Sequence, residues 1–519
     1  MKKIDWQTPL ALMDVAQTRQ LESLAAARIV DGPNLMAQAG LAIAKLALAT
    51  HPFANCYWIF CGPGNNGGDG LEAATHLHQW GQTVRVVLWQ PENKRPLDAT
   101  QALQKVKALG IAIQDQLPKS MTAHDVCIDA LLGIGLRTQD ANSAATAAAL
   151  EMDAWIDAIY HYGADVLAVD VPSGLNANTG QFQTAGVGVH RHATHTLQLL
   201  TAKPGCFTAL GRDACGTLWL DTLGCDDLLT STPAAAQLNF KLQSPNKALH
   251  ASHKGTYGDV AVIGGESIDH RGMGMTGAVD LAASAALHAG AGRVMACYVS
   301  ANSKAVQTSP RWPEIMLRDF AALQLRNGAV VCGCGGGLAV VKVLSKVLRE
   351  SSRLVLDADA LNAIAKDAWL RELLQQRAAK HLTTVITPHP LEAARLLNTD
   401  SATVQHDRLS AAQKLADDLK CTVVLKGSGT VIAKTHQTPV INPTGNARLA
   451  TGGTGDVLAG LLGARLAQGM SEFEAACAAV FEHGEAADHC DLPTLTAGKL
   501  AELIRGPQTA SSSPSRCGT

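Results

Sequence analysis

Aromatic residues are scarce in this chain of 519 residues, at 4%. That argues against a sandwich core built on large rings and favours closely packed helix-on-sheet layers rich in alanine and glycine. Charge of one sign is also lacking. The net charge is −2 and no long basic run appears, so nucleic acid is not expected as a partner. Nowhere do eighteen apolar residues run together, and Asp5 and Asp14 interrupt any leader-like core in MKKIDWQTPLALMDV. No membrane partner and no export signal are therefore expected. The 13 cysteines are odd in number and scattered, without a CxxC pair. A disulfide framework or zinc site is disfavoured, and a reducing, cytoplasmic setting is expected. What is abundant is apolar residue, 47% of the chain, enough for two or three globular domains.

The first half alternates strand and helix patterns. The apolar run 56–60 leads into Cys61-Gly-Pro-Gly-Asn-Asn-Gly-Gly-Asp-Gly70, read as a loop, with a helix expected from about Leu71 to Trp80. Strand, glycine-rich segment and helix form the opening unit of a doubly wound sheet. Further strands are expected over 83–89, 124–132 and 165–171, ending in Asp129 and in Asp170 with Ser173. An isolated aspartate after a strand is usually a cap. Three polar endings, Asn66, Asp129 and the Asp170/Ser173 pair, converging on one crevice make a site the better reading. The motifs Asn65-Asn-Gly-Gly-Asp-Gly70, Ile128-Asp-Ala-Leu-Leu-Gly133 and Val169-Asp-Val-Pro-Ser-Gly174 together resemble the NAD(P)H-hydrate epimerase domain. The resemblance implies that hydrated NADH or NADPH is bound by Asn65, Asn66, Gly67, Gly68 and Asp69 and by Gly133, Ile134, Gly135, Leu136, Arg137, Thr138 and Gln139. It also implies a potassium ion (K+) on Asn66, Asp129 and Ser173, with Asp170 as the acid/base residue. Glu72, Thr75, Ile134 and Asn176 depart from the family's usual residues.

The second half carries a comparable series. A strand is expected at 257–265, a helix at 277–289, and strands at 293–299, 329–332, 353–356, 384–387 and 421–425. Polar groups again follow strand ends: Asp357 and Asp359, His389 and Glu392, and the run Lys426, Gly427, Ser428, Gly429 and Thr430. The glycine-rich stretch 442–460 ends in Gly452-Gly-Thr-Gly-Asp456 before an apolar run, so a helix should start near Thr454 or Gly455. Free amides at such a start suit a phosphate. An aspartate among them suits removal of a proton from an attacking hydroxyl. Alone, the same motif is equally a helix start with an acid facing the dipole.

Taken together, His253-Lys-Gly255, Val355-Leu-Asp-Ala-Asp-Ala-Leu-Asn362, Thr387-Pro-His389, Lys426-Gly427 and the 452–460 stretch resemble the ADP/ATP-dependent NAD(P)H-hydrate dehydratase domain. With the epimerase-like half in front, the chain is similar to the bifunctional NAD(P)H-hydrate repair enzymes. The fold implied is α/β in two domains: an N-terminal Rossmann-like doubly wound sheet and a C-terminal ribokinase-like α/β domain. We place them at residues 1–225 and 241–507, with a linker at 226–240 and a disordered tail at 508–519. The resemblance implies Ala278, Gly335, His389 and Asp456 on the hydrated dinucleotide, with Asp456 catalytic. It places Lys426 to Thr430 and Gly455 on ADP or ATP, and Mg2+ organised through water by Glu392. A homo-oligomer is expected. The segment Cys332-Gly-Cys-Gly-Gly-Gly337 and Leu391 depart from the family pattern, and the added flexibility of Gly336 is expected to loosen its loop. The rival readings are a ribokinase-like kinase of a small vitamin-precursor alcohol and a non-catalytic scaffold in the first half.

Overall fold

Every residue of the run Tyr57–Cys61 is buried, as a strand covered on both faces requires. The structure is a computed structural model that describes residues 1–28, 33–90, 93–135, 147–182, 191–242, 250–299 and 311–506. Met1–Asp5 with Leu10–Gln237 form one compact unit, and Trp6–Pro9 with Leu238–Thr519 form another.

In the first unit the sheet strands are β1 (Lys2–Lys3), β2 (Tyr57–Cys61), β3 (Val84–Leu88), β4 (Ala112–Gln114), β5 (Val126–Ala130), β6 (Asp165–Val169), β7 (His195–Leu199) and β8 (Thr217–Asp221). Their spatial order is β1-β8-β7-β6-β5-β2-β3-β4. All pairs are parallel except β1 with β8. The order reverses between β2 and β5, where the chain leaves these two strands in opposite lateral directions and opens a crevice at their carboxyl ends.

Helix α1 (Leu35–Thr50) is capped by Asn34, whose side chain accepts from the Ala37 amide at 2.9 Å. Helix α2 (Asn65–Gln79) starts six residues earlier than expected. The segment 65–70 has the composition of a loop, but tertiary packing decides its conformation. A Cβ on Gly67 would lie 2.0 Å from the Gly62 carbonyl oxygen, and one on Gly68 would lie 2.6 Å from Met36. The glycines let α2 lie against the strand exit and α1 more closely than any side chain permits. Residues 226–240 hold the helix Asp226–Ser231 and the strand Ala236–Leu238. Leu228, Ala236 and Leu238 are buried there, which is why a stretch read as linker is ordered.

In the second unit, β9 (Asp259–Gly264), β10 (Arg293–Tyr298), β11 (Met316–Leu317), β12 (Ala329–Cys332), β13 (Arg353–Leu356), β14 (Thr383–Ile386) and β15 (Thr422–Leu425) pair in parallel in the order β11-β10-β9-β12-β13-β14-β15. The antiparallel β16 (Val431–Ala433) and β17 (Val440–Ile441) follow β15. The reversal here lies between β9 and β12. Helix α3 (Thr276–His288) and helix α4 (Thr454–Ala467) pack without intervening side chains: a Cβ on Gly460 would meet the Ala282 carbonyl oxygen at 1.9 Å. At the unit's other end, the Lys241 amide donates to the Trp6 carbonyl oxygen at 3.2 Å. Among the described residues no helix is long and apolar enough to cross a membrane. The expected tail lies outside the described residues.

Candidate functional sites

In the first unit, the penultimate residue of β5 is Asp129, whose carboxylate is buried. It accepts from the Ser173 hydroxyl at 2.6 Å, the Ser173 amide at 2.9 Å and the Tyr160 hydroxyl at 2.8 Å. Burial nevertheless raises its pKa, against the pull of those donors. Asn66, in the first turn of α2, lies beside Gly133: a Cβ there would come 3.1 Å from Asn66 Oδ1. The Asn66 Nδ2 is buried without a hydrogen-bond partner, which costs free energy unless a ligand changes its surroundings. The reversal point thus gathers Asn66, Asp129 and Ser173. Of the expected substrate residues, Gly67 and Gly68 are buried, while Asn65 and Gly135 stay exposed. Leu136, Arg137, Thr138 and Gln139 lie outside the described residues.

Asp170, after β6, has a left-handed backbone with φ 68°. Its Oδ1 accepts from the Leu199 amide at 3.1 Å and from the ammonium of Lys203, which also donates to the Leu199 carbonyl oxygen at 2.7 Å. Lys203 is completely buried. Sequence reasoning missed it, because it lies 33 residues downstream of its partner. The signal was a lysine before Pro204 in an apolar stretch. Asp69 is pushed well above the usual carboxylate range, by burial first and then by Asp170, Glu22 and Glu72. Beside this shifted carboxyl group the site holds the Lys203–Asp170 ion pair, whose Asp170 charge contributes to the shift.

In the second unit, α4 begins at Thr454 with Gly453 as its cap at φ 93°, a left-handed conformation that L side chains rarely adopt. This places Asp456 in the first turn, as expected. Its pKa is raised to about 7, by burial first and then by Asp357. Asp357, at the end of β13, accepts from the Lys426 ammonium at 2.7 Å. Burial disfavours that ammonium, but Asp357, Glu392 and Asp456 outweigh it and raise its pKa. A Cβ on Gly455 would stand 3.3 Å from Lys426 Nζ, whereas the space before Gly452 is open. His483, buried beneath α4, donates from Nε2 to the Thr454 carbonyl oxygen at 2.9 Å. Burial lowers its pKa to about 4, so it is neutral.

The loop after β12 completes the cluster. The Cys334 thiol and carboxylate oxygens of Asp357 and Asp456 lie within 4.8 Å of one another. A Cβ on Gly335 would stand 2.9 Å from Ala278, so these two expected contacts adjoin. The loop is not loose. Cys334 and Gly335 carbonyl oxygens accept from Gly265 and Glu266 amides at 3.0 and 2.7 Å, and the Gly337 amide donates to Asp359 at 2.8 Å. Gly336 is needed for contact rather than flexibility, since its Cβ would lie 2.8 Å from Val340 Cβ. His389 caps the helix Pro390–Leu397, with Nδ1 accepting from the Leu391 amide at 3.1 Å and Nε2 3.3 Å from Glu392 Oε1. The turn from Lys426 to Thr430 is closed by the Thr430 hydroxyl on the Gly427 carbonyl oxygen at 3.1 Å.

The profile of the YjeF-related protein N-terminus matches residues 32–205, and that of NAD(P)H-hydrate dehydratase matches residues 260–505. The bifunctional NAD(P)H-hydrate repair enzyme Nnr of Escherichia coli is 36% identical over 486 residues, covering 90% of this chain and 87% of its own. This chain belongs to the bifunctional NAD(P)H-hydrate repair enzymes. The second half of this repair enzyme is also similar to the ADP-dependent (S)-NAD(P)H-hydrate dehydratase of Neisseria meningitidis, at 46% identity over 261 residues, 49% of this chain and 83% of that one. A solved ADP/ATP-dependent NAD(P)H-hydrate dehydratase from Bacillus subtilis, crystallised with ATP and Mg2+, aligns at 28% identity and TM-score 0.41 over 51% of this repair enzyme and 92% of its own chain.

Proposed function

We propose that Asp170 and Asp456 are the acid/base residues of two consecutive repairs of a damaged coenzyme. As a member of its family, the chain is a bifunctional isomerase and lyase. It interconverts the R and S hydrates of NADH and NADPH and returns the S hydrate to NAD(P)H with consumption of ADP. The observation that carries the second activity is the position of Asp456: a carboxyl group with a pKa raised to about 7, in the first turn of a helix that starts just after the open space at Gly452, with Gly455 beside Lys426.

In the first unit, inversion at the hydrated carbon requires proton transfer near the hydroxyl or ring nitrogen. Asp170, held by Lys203, is the group suited to it. The oxygens of Asn66, Asp129 and Ser173 are the donors an alkali cation takes, and we assign potassium to them. In the second unit, Asp456 removes the hydroxyl proton of the hydrate, and the oxygen attacks the terminal phosphoryl group of ADP, breaking its bond to the bridging oxygen and releasing AMP. The amides of Gly453 to Gly455 stabilise the developing charge. The ring nitrogen lone pair expels inorganic phosphate, and loss of the neighbouring C–H proton restores the reduced ring. Phosphorylation converts hydroxide, a poor leaving group, into a good one.

Magnesium bound with the nucleotide would neutralise phosphate charge. Both Glu392 oxygens already face His389, its amide at 2.9 Å and its ring at 3.3 Å, so Glu392 would hold such an ion through water. Cys334 offers sulfur, which magnesium does not favour. Lys426 and the turn to Thr430 supply the positive and backbone groups for nucleotide phosphate. Hydrated dinucleotide is assigned to Ala278, Gly335 and His389.

The test follows absorbance at the reduced-nicotinamide band with mixed hydrate epimers. Full recovery with ADP and release of inorganic phosphate, recovery confined to the S-hydrate fraction after Asp170→Asn, and no ADP-dependent recovery after Asp456→Asn support both assignments. A stably phosphorylated product without phosphate release would instead favour a ribokinase-like kinase.

A further inference from the structure

A buried cation lies beneath the turn from Lys426 to Thr430. We propose that Arg408 is a positioning residue for nucleotide binding, which holds the Leu425 and Lys426 carbonyl groups so that the Gly427 amide faces the nucleotide phosphate. The inference rests on the reading of that turn as the nucleotide site.

Arg408 opens the helix Arg408–Leu419 and is fully buried. Its Nη2 donates to the Leu425 carbonyl oxygen at 3.1 Å and to that of Lys426 at 3.2 Å, while Nη1 donates to Gln405 Oε1. The guanidinium lies close against Gly427, where a Cβ would stand 2.7 Å from Nη1 and 2.8 Å from Nη2. A trans peptide carries its C=O and N–H on opposite sides. The Lys426 carbonyl points to Arg408, so the Gly427 N–H of the same peptide points away from it. That amide donates to no group among the described residues, and Gly427 is exposed. The other peptide of Lys426 is held as well, since its own amide donates to the Pro388 carbonyl oxygen at 2.9 Å. Gripped at both peptide groups, Lys426 reaches Asp357 with its ammonium at 2.7 Å.

The charge of Arg408 has no carboxylate partner among the described residues. Its three acceptors are neutral, and its Nε is buried without a hydrogen-bond partner. Asp407, beside it, turns its carboxylate to the Ser410 amide at 3.0 Å. Burial lowers the pKa of Arg408 to about 10, which leaves it charged at neutral pH. A buried charge without a counter-ion is unfavourable, and in the first turn of a helix a cation also opposes the dipole. An anion on the exposed side of the turn offsets both effects. Arg377 is the contrast. It is as deeply buried, but it donates to Thr384 Oγ1 at 2.7 Å, the Leu348 carbonyl oxygen at 2.7 Å and the Thr383 carbonyl oxygen at 2.9 Å. Those groups lie at the amino end of β14, whereas the turn follows the carboxyl end of β15.

The experiment uses the full chain with Arg408→Met and Arg408→Lys, and with Arg377→Met as the control for losing a buried arginine elsewhere in the same unit. It measures Kd for ADP by calorimetry, KM for ADP and for the S hydrate separately, and kcat of dehydration. In Arg408→Met, Kd and KM for ADP should rise about tenfold, with KM for the hydrate and kcat at saturating ADP changed by less than about twofold. The hydrate KM is thus the control for folding within the unit. Arg408→Lys keeps the charge without the planar fork, and its rise should be about threefold. Arg377→Met should lower Tm and leave ADP affinity in place. Unchanged ADP affinity in Arg408→Met, an equal rise in both KM values, or an equal loss of ADP affinity in Arg377→Met overturns the proposal. If Arg408→Met does not fold, unchanged ADP affinity in Arg408→Lys overturns it. Hydrogen exchange of the wild type separates the two readings. No protection of the amides of 425–430 by ADP removes the nucleotide reading of the turn, whereas protection there with ADP affinity unchanged in Arg408→Met removes only the role of Arg408.

Discussion

Lys203 donates its ammonium to Asp170 and to the Leu199 carbonyl oxygen from a position with no solvent exposure. A buried charge pair of this kind is expensive to break from one side, because the remaining charge is stranded. Lys203→Met should destabilise the first unit by about 3–5 kcal/mol and slow epimerisation. Asp170→Asn, which keeps the shape, should abolish epimerisation while dehydration of the S hydrate continues. Denaturant unfolding and the rate of epimer interconversion check the pair. Full epimerase activity in Asp170→Asn would remove that residue from the chemistry.

Dehydration should have an acidic limb near pH 7. Asp456 works as a base only when ionised, and burial with Asp357 raises its pKa to about 7. The rate at saturating ADP should therefore rise through that region and flatten above it. A profile flat from pH 5 to 8 would contradict the assignment.

The same group weakens the fold where it works. Its pKa is about 7 in the folded state against an ordinary value of 3.8, so the native state binds the proton more tightly than the unfolded state. Its favourable contribution is complete below the unfolded value and is lost as pH rises through about 7. Asp456→Asn should abolish dehydration and raise Tm at pH 8, with a smaller gain at pH 5. Calorimetry at the two pH values measures this, and a lower Tm at pH 8 would contradict it.

Gly335 occupies a left-handed conformation beside Ala278, with space for a Cβ only 2.6 Å from the Met275 carbonyl oxygen. Gly335→Ala should cost about 1–2 kcal/mol from the backbone conformation alone. It should also raise KM for the hydrate more than KM for ADP. Equal effects on the two would show that the loop serves only the fold.

The strands β2, β3, β5 and β6 of the first sheet and β9, β10, β12, β13, β14 and β15 of the second were legible as short apolar runs, whereas β7 and β8, with polar residues interleaved, and the short strands β1, β4, β11, β16 and β17 were not. The helix start at Thr454 was legible for the same kind of reason, a glycine-rich turn before an apolar run. The start of α2 at Asn65 was not. Asparagine and glycine favour turns locally, and only contact with Gly62 and Met36 makes them helical. Asp170 could be found because it directly follows β6, and Asp129 and Ser173 because they lie near the carboxyl ends of β5 and β6. Lys203 and Tyr160 could not, because each reaches its carboxylate from another part of the chain. The loop holding Gly336 was read from glycine's intrinsic freedom, whereas its hydrogen bonds and close contacts remove that freedom.

Trp6–Pro9 belongs with the second unit although the first unit encloses it in sequence. The carbonyl group of Trp6 waits for the amide of Lys241, which emerges from the ribosome more than two hundred residues later. Cutting the gene after residue 237 would thus send four residues away with the wrong partner. A dehydratase fragment made that way should refold less readily than one to which those residues are restored as a peptide or by circular permutation.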